Sequence, residues 1–300
     1  GGVRSRWPFG DAGLSLRTHL RPLFTCIPVL PCSNGLRKEG LLPATDKRAA
    51  YALFALVVLT TACGNLSQTA VNAMMMGIVA DMGVTVELGQ WLSTGYMLML
   101  GVAVPAVTWI SKRFSARQHV LLGMGLSLAG SLICMAAPDF WVLLAGRILQ
   151  AVSTGILLPF MTTIAMVSFP PGRQATAMGI AGVAMGFAPN IGPTVGGAMA
   201  SAWGWRSFFV LLAALTCVLA VCALVMVKPS KPQDASARLD TVSLILSTLG
   251  LGGVLLGFSN ASSFALSSPY VWVPLVAGAA VCAAFVVRQK RLDSPLIDLG

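Results

Sequence analysis

One charged side chain stands deep inside an apolar run: Arg147, in "LLAGRILQAVSTGILLP". In hydrocarbon a guanidinium costs several kcal/mol unless it faces a wet or protein-lined interior with acceptors nearby, so it is a functional-site candidate by default. It lies six residues inside an apolar segment at 141–166, about 9 Å from the start of a helix at 1.5 Å per residue. From that depth the long side chain could also snorkel to the outer interface. Gln150 follows close to one turn later and is placed to share the face of Arg147.

Two further groups carry physical constraints. In "WISKRFSARQHVLL", Lys112, Arg113 and Arg117 form a basic turn between two apolar segments. Its minimal role is a cytoplasmic anchor; a sharper one is a loop that docks on neighbouring helix ends as a latch, made and broken as the protein rocks. The stretch "APNIGPTVGG" lies inside an uncharged run from Gln174 to Trp205. There Gly182, Gly186, Gly192, Gly196 and Gly197 supply small-xxx-small spacings, which let helices approach closely in lipid. Pro189 and Pro193 each remove a backbone donor, and the resulting kink is tolerable only where protein or trapped water satisfies the freed carbonyls. The segment reads as a bent packing interface, either static or at a sliding or gating contact. A phosphate loop is excluded, because no strand precedes it and no Gly-Lys-Ser/Thr follows.

The elements that position these residues follow from composition. Only 10% of the chain is charged and 56% is hydrophobic, with mean hydropathy +0.81, against about 25% charged in a soluble domain. This is a membrane protein. A span needs roughly 20 apolar residues, and dividing the chain at charges and turn clusters gives eight: 49–72, 90–111, 119–137, 141–166, 174–200, 206–227, 241–258 and 270–287. The last two are separated by the polar turn "SNASSFALSSP".

Orientation follows from the cytoplasmic preference of Lys and Arg in short loops. One set of connections carries Lys47/Arg48, Lys112/Arg113/Arg117, Arg173, Lys228/Lys231/Arg238 and Arg288/Lys290/Arg291. The other holds Asp81/Glu87, Asp139, Arg206 alone, and no charge in 259–269. Both ends of the membrane region are therefore expected to be cytoplasmic in a cell (inner or plasma) membrane, which requires an even number of spans. The net charge of +10 then reflects topology rather than nucleic-acid binding.

Residues 1–46 lack any helical or strand period or spanning apolar run. No methionine precedes Met74 although the chain has 14, and the chain begins "GGVRSR". They are expected to be a disordered or non-native leader, with a start near Leu41 or Leu42. The seven cysteines (26, 32, 63, 134, 217, 222, 282) have no zinc or redox spacing and read as small hydrophobes. No metal or cofactor site is expected.

With these stretches in this order, the chain resembles the major facilitator superfamily, specifically its fourteen-helix drug:proton antiporters of the EmrB/QacA type, over about residues 48–300. "TWISKRFSARQHVLL" looks like the loop between helices 2 and 3, in the drug-exporter form with a basic residue, Lys112, where an acid is usual. "LLAGRILQAVSTG" is similar to the helix 4 motif, whose arginine, matched by Arg147, is linked to proton transfer. "GFAPNIGPTVGG" looks like the antiporter signature of helix 5, with Gly192, Pro193, Gly196 and Gly197 at its fixed positions. "WGWRSFF" resembles the start of helix 6, and the last two spans with "RQKRLDSPLIDLG" resemble the two additional central helices and the segment leading onward.

The resemblance implies an all-α polytopic membrane protein: a six-helix transporter bundle at 47–228, a cytoplasmic linker at 229–240, two extra spans at 241–287, and at 288–300 the connection to a second bundle absent from this sequence. One departure stands out. "LSQTAVNAMMM" keeps Thr69 and Asn72 of the helix 1 motif but presents Ser67 where an Asp is usual, and none of the ten acids falls mid-span. Proton coupling needs a titratable group in or near the pathway, so the carrier lies elsewhere or the coupling differs.

The implied activity is export of drug-like amphipathic, including cationic, compounds by alternating access, with protons as coupling ion and Arg147 and Gln150 in coupling or transport. Thr69, Asn72, Met97, Met99, Met161 and Asn190 are candidate cavity residues, methionine suiting loose apolar recognition. The partners would be the small-molecule substrate, protons and the bilayer, with periplasmic or outer-membrane efflux partners unspecified. The alternative is a superfamily importer or exporter of a metabolite or sugar. A membrane-embedded enzyme is disfavoured, because the only histidines are His19 in the leader and His119 in a loop.

Overall fold

The computed structural model describes residues 47–104, 106–227, 241–261 and 268–291. Every element among them is helical: α1 (Lys47–Met82), α2 (Val86–Gly89), α3 (Trp91–Ala103), α4 (Ala106–Arg113), α5 (Ala116–Ala136), α6 (Phe140–Ser168), α7 (Pro171–Trp203), α8 (Arg206–Met226), α9 (Thr241–Asn260) and α10 (Pro269–Arg291). The expected leader and the whole of the expected linker, at 1–46 and 229–240, lie outside the described residues, as do 228 and 292–300.

Helices occupy all eight expected segments, with three changes. The first is longer than expected, because nothing in "NAMMMGIVADM" breaks a helix before Gly83, whose φ of +63° ends it. Asp81 therefore sits on the last turn of α1 and not in a loop. The second is two helices, α3 and α4, parted at 104–105. A proline at 105 has no N–H to donate and disfavours helical geometry in the residue before it. The third concerns His119, which belongs to the first turn of α5, a helix begun by a capping box in which Ser115 and Gln118 satisfy each other's backbone N–H. Five helices are long and apolar enough to cross a membrane individually: those of α1, α5, α6, α8 and α10.

α6 occupies the centre, packing against α1, α3, α5 and, less extensively, α4 and α7. Two apolar clusters lie at different depths. One joins Leu53, Val57, Met124, Leu157, Phe160 and Leu219; the other joins Val71, Met74, Leu92, Leu143, Phe208 and Phe209. α9 and α10 form a hairpin that reaches the bundle through α3. Its seam is glycine-lined: a Cβ on Gly253 would lie 2.9 Å from the Gly278 Cα, and one on Gly250 2.6 Å from Cys282 Sγ.

The glycines of α7 divide into two sets. A Cβ on Gly192 would lie 2.8 Å from the Leu66 carbonyl and one on Gly196 2.7 Å from Ala70 Cβ, so these two make the close approach to α1. Added atoms on Gly182, Gly186 and Gly197 would meet nothing within 4 Å. Of the five glycines that supply the small-xxx-small spacings, two make such an approach among the described residues. α7 runs as one helix through Pro189 and Pro193.

This division can be measured. Ala is intrinsically about 1 kcal/mol better than Gly inside a helix, so Gly182→Ala should leave the thermal midpoint unchanged or raise it. Gly196→Ala should lower it, because overpacking of about 1–3 kcal/mol outweighs that gain. Equal midpoints for the two variants in one detergent would contradict the close α1–α7 contact.

Candidate functional site

Between the two apolar clusters lies a polar layer built on α6. Its periodicity sets Arg147, Gln150 and Thr154 within two turns of one another on the side facing α1, α3 and α5. Arg147 is fully buried, at 0% exposure, so it does not snorkel to the interface. Its Nη1 donates to Ser67 Oγ of α1 (2.8 Å) and to Gln150 Oε1 (2.9 Å). Gln150 Nε2 donates to Ser131 Oγ of α5 (2.9 Å), and Ser131 donates in turn to the Ser127 carbonyl (2.8 Å). From α3, the Tyr96 ring lies under the guanidinium, 4.3 Å from Cζ to centroid. Its hydroxyl is 2.9 Å from Thr154 Oγ1 and 3.2 Å from the Gly64 carbonyl.

Small residues make this layer possible. A Cβ on Gly130 would come within 2.6 Å of the Gly146 carbonyl and 2.8 Å of Gln150 Cγ. Glycine there lets α5 and α6 approach closely enough for Ser131 to reach Gln150. The layer can hold a positive charge in a neutral, hydrogen-bonded setting that joins four helices. No group of three or more His, Cys, Asp or Glu capable of holding a metal occurs among the described residues.

The other anticipated residues are dispersed. Asn72 is exposed on α1, its Oδ1 accepting from Ser93 Oγ. Thr69 bonds to its own helix, at the Leu66 carbonyl (3.2 Å), and backs onto Gly192. Asn190 is exposed and donates to the Gly186 carbonyl (2.6 Å). Met97 is exposed and Met99 half-buried. Met161 is corrected as a cavity residue: at 4% exposure it is part of the apolar cluster with Leu53 and Phe160, because its turn of α6 faces inward.

In the basic turn, Arg117 Nη2 donates to the Leu224 carbonyl near the end of α8 (2.9 Å), while Arg113 is exposed. The Lys112 side chain lies outside the described residues. At the opposite end, Arg206 Nη1 and Trp205 Nε1 both donate to Asp81 Oδ2, at 2.6 and 3.1 Å. The lone arginine of that side is thus paired with an acid.

Sequence reasoning missed Tyr96, which lies against Arg147, and Ser131 and Thr154, which bond to Gln150 and Tyr96 in the same layer. Their one signal was polarity inside apolar segments. It also placed His119 in a loop, whereas the side chain is fully buried and stacks on Phe160 with centroids 3.9 Å apart.

Comparison with known proteins bears on this arrangement of helices. Residues 57–289 match the family model of the Major Facilitator Superfamily. The chain belongs to the Major Facilitator Superfamily. It is 37% identical over 239 residues to the lincomycin resistance protein LmrB of Bacillus subtilis, covering 79% of this chain and 50% of that protein. It is 32% identical over 247 residues to the multidrug resistance protein B homolog of Mycobacterium tuberculosis strain H37Rv, covering 81% and 45%. The solved structure of a bacterial homolog of the human lysosomal transporter Spinster, inward-facing and unoccupied, matches with TM-score 0.51 at 16% identity, covering 81% of this chain and 62% of that one. That likeness concerns the fold alone. The chain spans about half the length of the curated relatives it matches. It is a multi-pass membrane protein of a transporter family, and not an enzyme.

The polar layer makes a prediction of its own. Hydrogen bonds to charged groups contribute about 1.5–3 kcal/mol, so Gln150→Leu should destabilise the chain by about 2 kcal/mol in thermal or denaturant unfolding. Gln150→Glu, which offers Arg147 a carboxylate, should be neutral or stabilising. A neutral Gln150→Leu would show that the Arg147–Gln150 contact contributes nothing.

Proposed function

We propose that the chain is the N-terminal part of an exporter of drug-like amphipathic compounds working by alternating access, with Arg147 as the central residue of coupling or transport. The observation that carries this reading is the fully buried Arg147 held by Ser67, Gln150 and Tyr96. An intramembrane charge of this kind marks a pathway or a relay rather than a stabilising device. The names of the resistance-protein relatives support the substrate class.

The cavity wall would draw on the surface that carries Asn72, Met97 and Asn190, which are exposed here. In this architecture the site lies between two repeats that rock against each other. The second bundle would supply the facing wall. Coupling to protons follows the antiporter resemblance and is compatible with a relay through Arg147, although Ser67 offers no carboxylate. Both ends of the membrane region would face the cytoplasm.

Two experiments test these statements. When the complete gene is expressed in a drug-hypersensitive strain, Arg147→Ala should reduce the inhibitory concentration to that of the empty vector at unchanged membrane expression. Full resistance with Arg147→Ala would remove that residue from the mechanism. For orientation, single cysteines are placed in a cysteine-free background. Arg113→Cys should react with an impermeant maleimide only after permeabilisation, and Glu87→Cys in intact cells. The opposite pattern would invert the topology.

A further inference from the structure

A groove at the basic end of the bundle holds none of the residues of the polar layer. It runs between the first turns of α1 and α7 beside the end of α6, with a volume of about 680 Å³, inside the range of roughly 300–1,000 Å³ that small-molecule sites occupy. Its walls are apolar: Phe54 and Val58 from α1, Ile180 from α7, and Phe169 just after α6. Tyr51 and Phe54 both meet Phe169 edge-on, with ring centroids 4.7 and 5.1 Å apart, so three aromatic rings line one part of it.

One charged side chain stands in this lining, Arg173. It is exposed on the first turn of α7, and its guanidinium forms no hydrogen bond or ion pair among the described residues. The described acids are remote. Asp81 lies on the last turn of α1, about 45 Å from Tyr51 at 1.5 Å per residue. Glu87 and Asp139 stand at that same far end, on α2 and at the start of α6.

An apolar groove with an unpaired guanidinium at its rim selects by charge. A carboxylate or sulfonate can take the fork of Arg173 with two charge-assisted hydrogen bonds while the body that carries it displaces water from the rings. A cation of the same shape meets a like charge and finds no acid there. The groove also lies on the side of α1 and α7 that carries Asn72 and Asn190. Arg173, Thr176, Ile180, Val183, Phe187 and Asn190 recur at three and four residues along α7, and Val58, Asn65 and Asn72 at seven along α1.

We propose that this groove takes amphipathic organic acids, with an apolar one- or two-ring body against Tyr51, Phe54 and Phe169 and a carboxylate or sulfonate on Arg173. The role of the groove as the part of the cavity wall that chooses substrate charge rests on the export reading; the binding itself does not. In that role it narrows the exported compounds to acids and disfavours cations.

Binding is measured by equilibrium dialysis of the purified chain in zwitterionic lipid nanodiscs, with empty nanodiscs subtracting partition into lipid. The probes are 2-naphthoate, 2-naphthylmethanol and 2-naphthylmethylammonium, which share one ring system. The expected result is saturable binding of one naphthoate per chain, about tenfold tighter than the ammonium, the scale of one hydrogen bond to a charged group. Arg173→Gln should weaken naphthoate about tenfold and leave the alcohol unchanged, whereas Arg173→Lys should keep part of the preference. Thr176→Trp, which fills the groove from an exposed position, should weaken all three probes. The proposal is overturned by naphthoate uptake that does not saturate, by ammonium binding as tightly as naphthoate, or by a naphthoate affinity that Arg173→Gln or Thr176→Trp leaves unchanged. None of these results touches the resistance assay of Arg147→Ala, so the groove and the export reading fail separately.

Discussion

The constraint on which the rest of the structure depends is the need to keep one guanidinium out of lipid. Arg147 is satisfied only if α1, α3 and α5 come close to α6 at the same depth. Short side chains such as Ser67 and Ser131 reach across only where the backbones nearly touch. Glycine supplies that approach: Gly130 and Gly146 meet each other's carbonyls, and a Cβ on Gly155 would lie 2.6 Å from the Leu100 carbonyl. In lipid no hydrophobic force draws helices together, so close packing and interhelical hydrogen bonds carry the association. The polar layer and the glycine contacts are therefore one device. The apolar clusters on either side seal it from both ends.

The same logic separates the two faces of α7. Its inner face, through Ala181, Ala188, Gly192 and Gly196, is buried against α1. Its opposite face presents Gly182, Gly186, Asn190 and Pro193 unpacked, beside the large exposed side chains Ile180, Val183 and Phe187. A helix of this kind is held on one side and open on the other. The α9–α10 pair contrasts with it: Gly250, Gly253, Gly257 and Gly278 are consumed within the hairpin, and among the described residues α3 makes its main contact with the bundle. The core here is thus α1 through α8, with α9 and α10 as an attached unit.

Much of the fold was legible because hydropathy and charge report directly on membrane crossing. Segment limits held within a few residues where a charge or glycine ended the helix, as at Arg206 and Gly204. They failed at α1, where the sequence offers no break between Asn72 and Gly83, and Asp81 rides the last turn. The site was half legible. Arg147 and Gln150 announced themselves as polar residues in an apolar run, one turn apart on one helix. Ser67, Tyr96 and Ser131 come from three other helices, and their convergence depends on helix rotation and depth. Segments apolar on all sides encode little of either. The glycines of α7 show the same limit: Gly182/Gly186 and Gly192/Gly196 each repeat at four residues, so both pairs suited a packing face, and contact with Leu66 and Ala70 selected the second.

The two ends of the bundle complete the electrostatic argument. Basic residues cluster at one end, and the single arginine at the other was the exception to an otherwise alternating pattern. Arg206 donates to Asp81 and to the Ala137 carbonyl and lies over the Trp205 ring, 4.3 Å from its centroid. Its charge is cancelled locally, so it adds no net positive charge to that side. Ion pairs this exposed contribute little to stability, and its weight is topological: it ties the end of α1 to the start of α8 across the loop before α6. Among the described residues Arg117 forms no ion pair. It meets the Leu224 carbonyl at the negative end of the α8 dipole. One end thus carries several Lys and Arg residues and the other a single arginine, and it is this bias in the number of basic residues that an orientation rule reads.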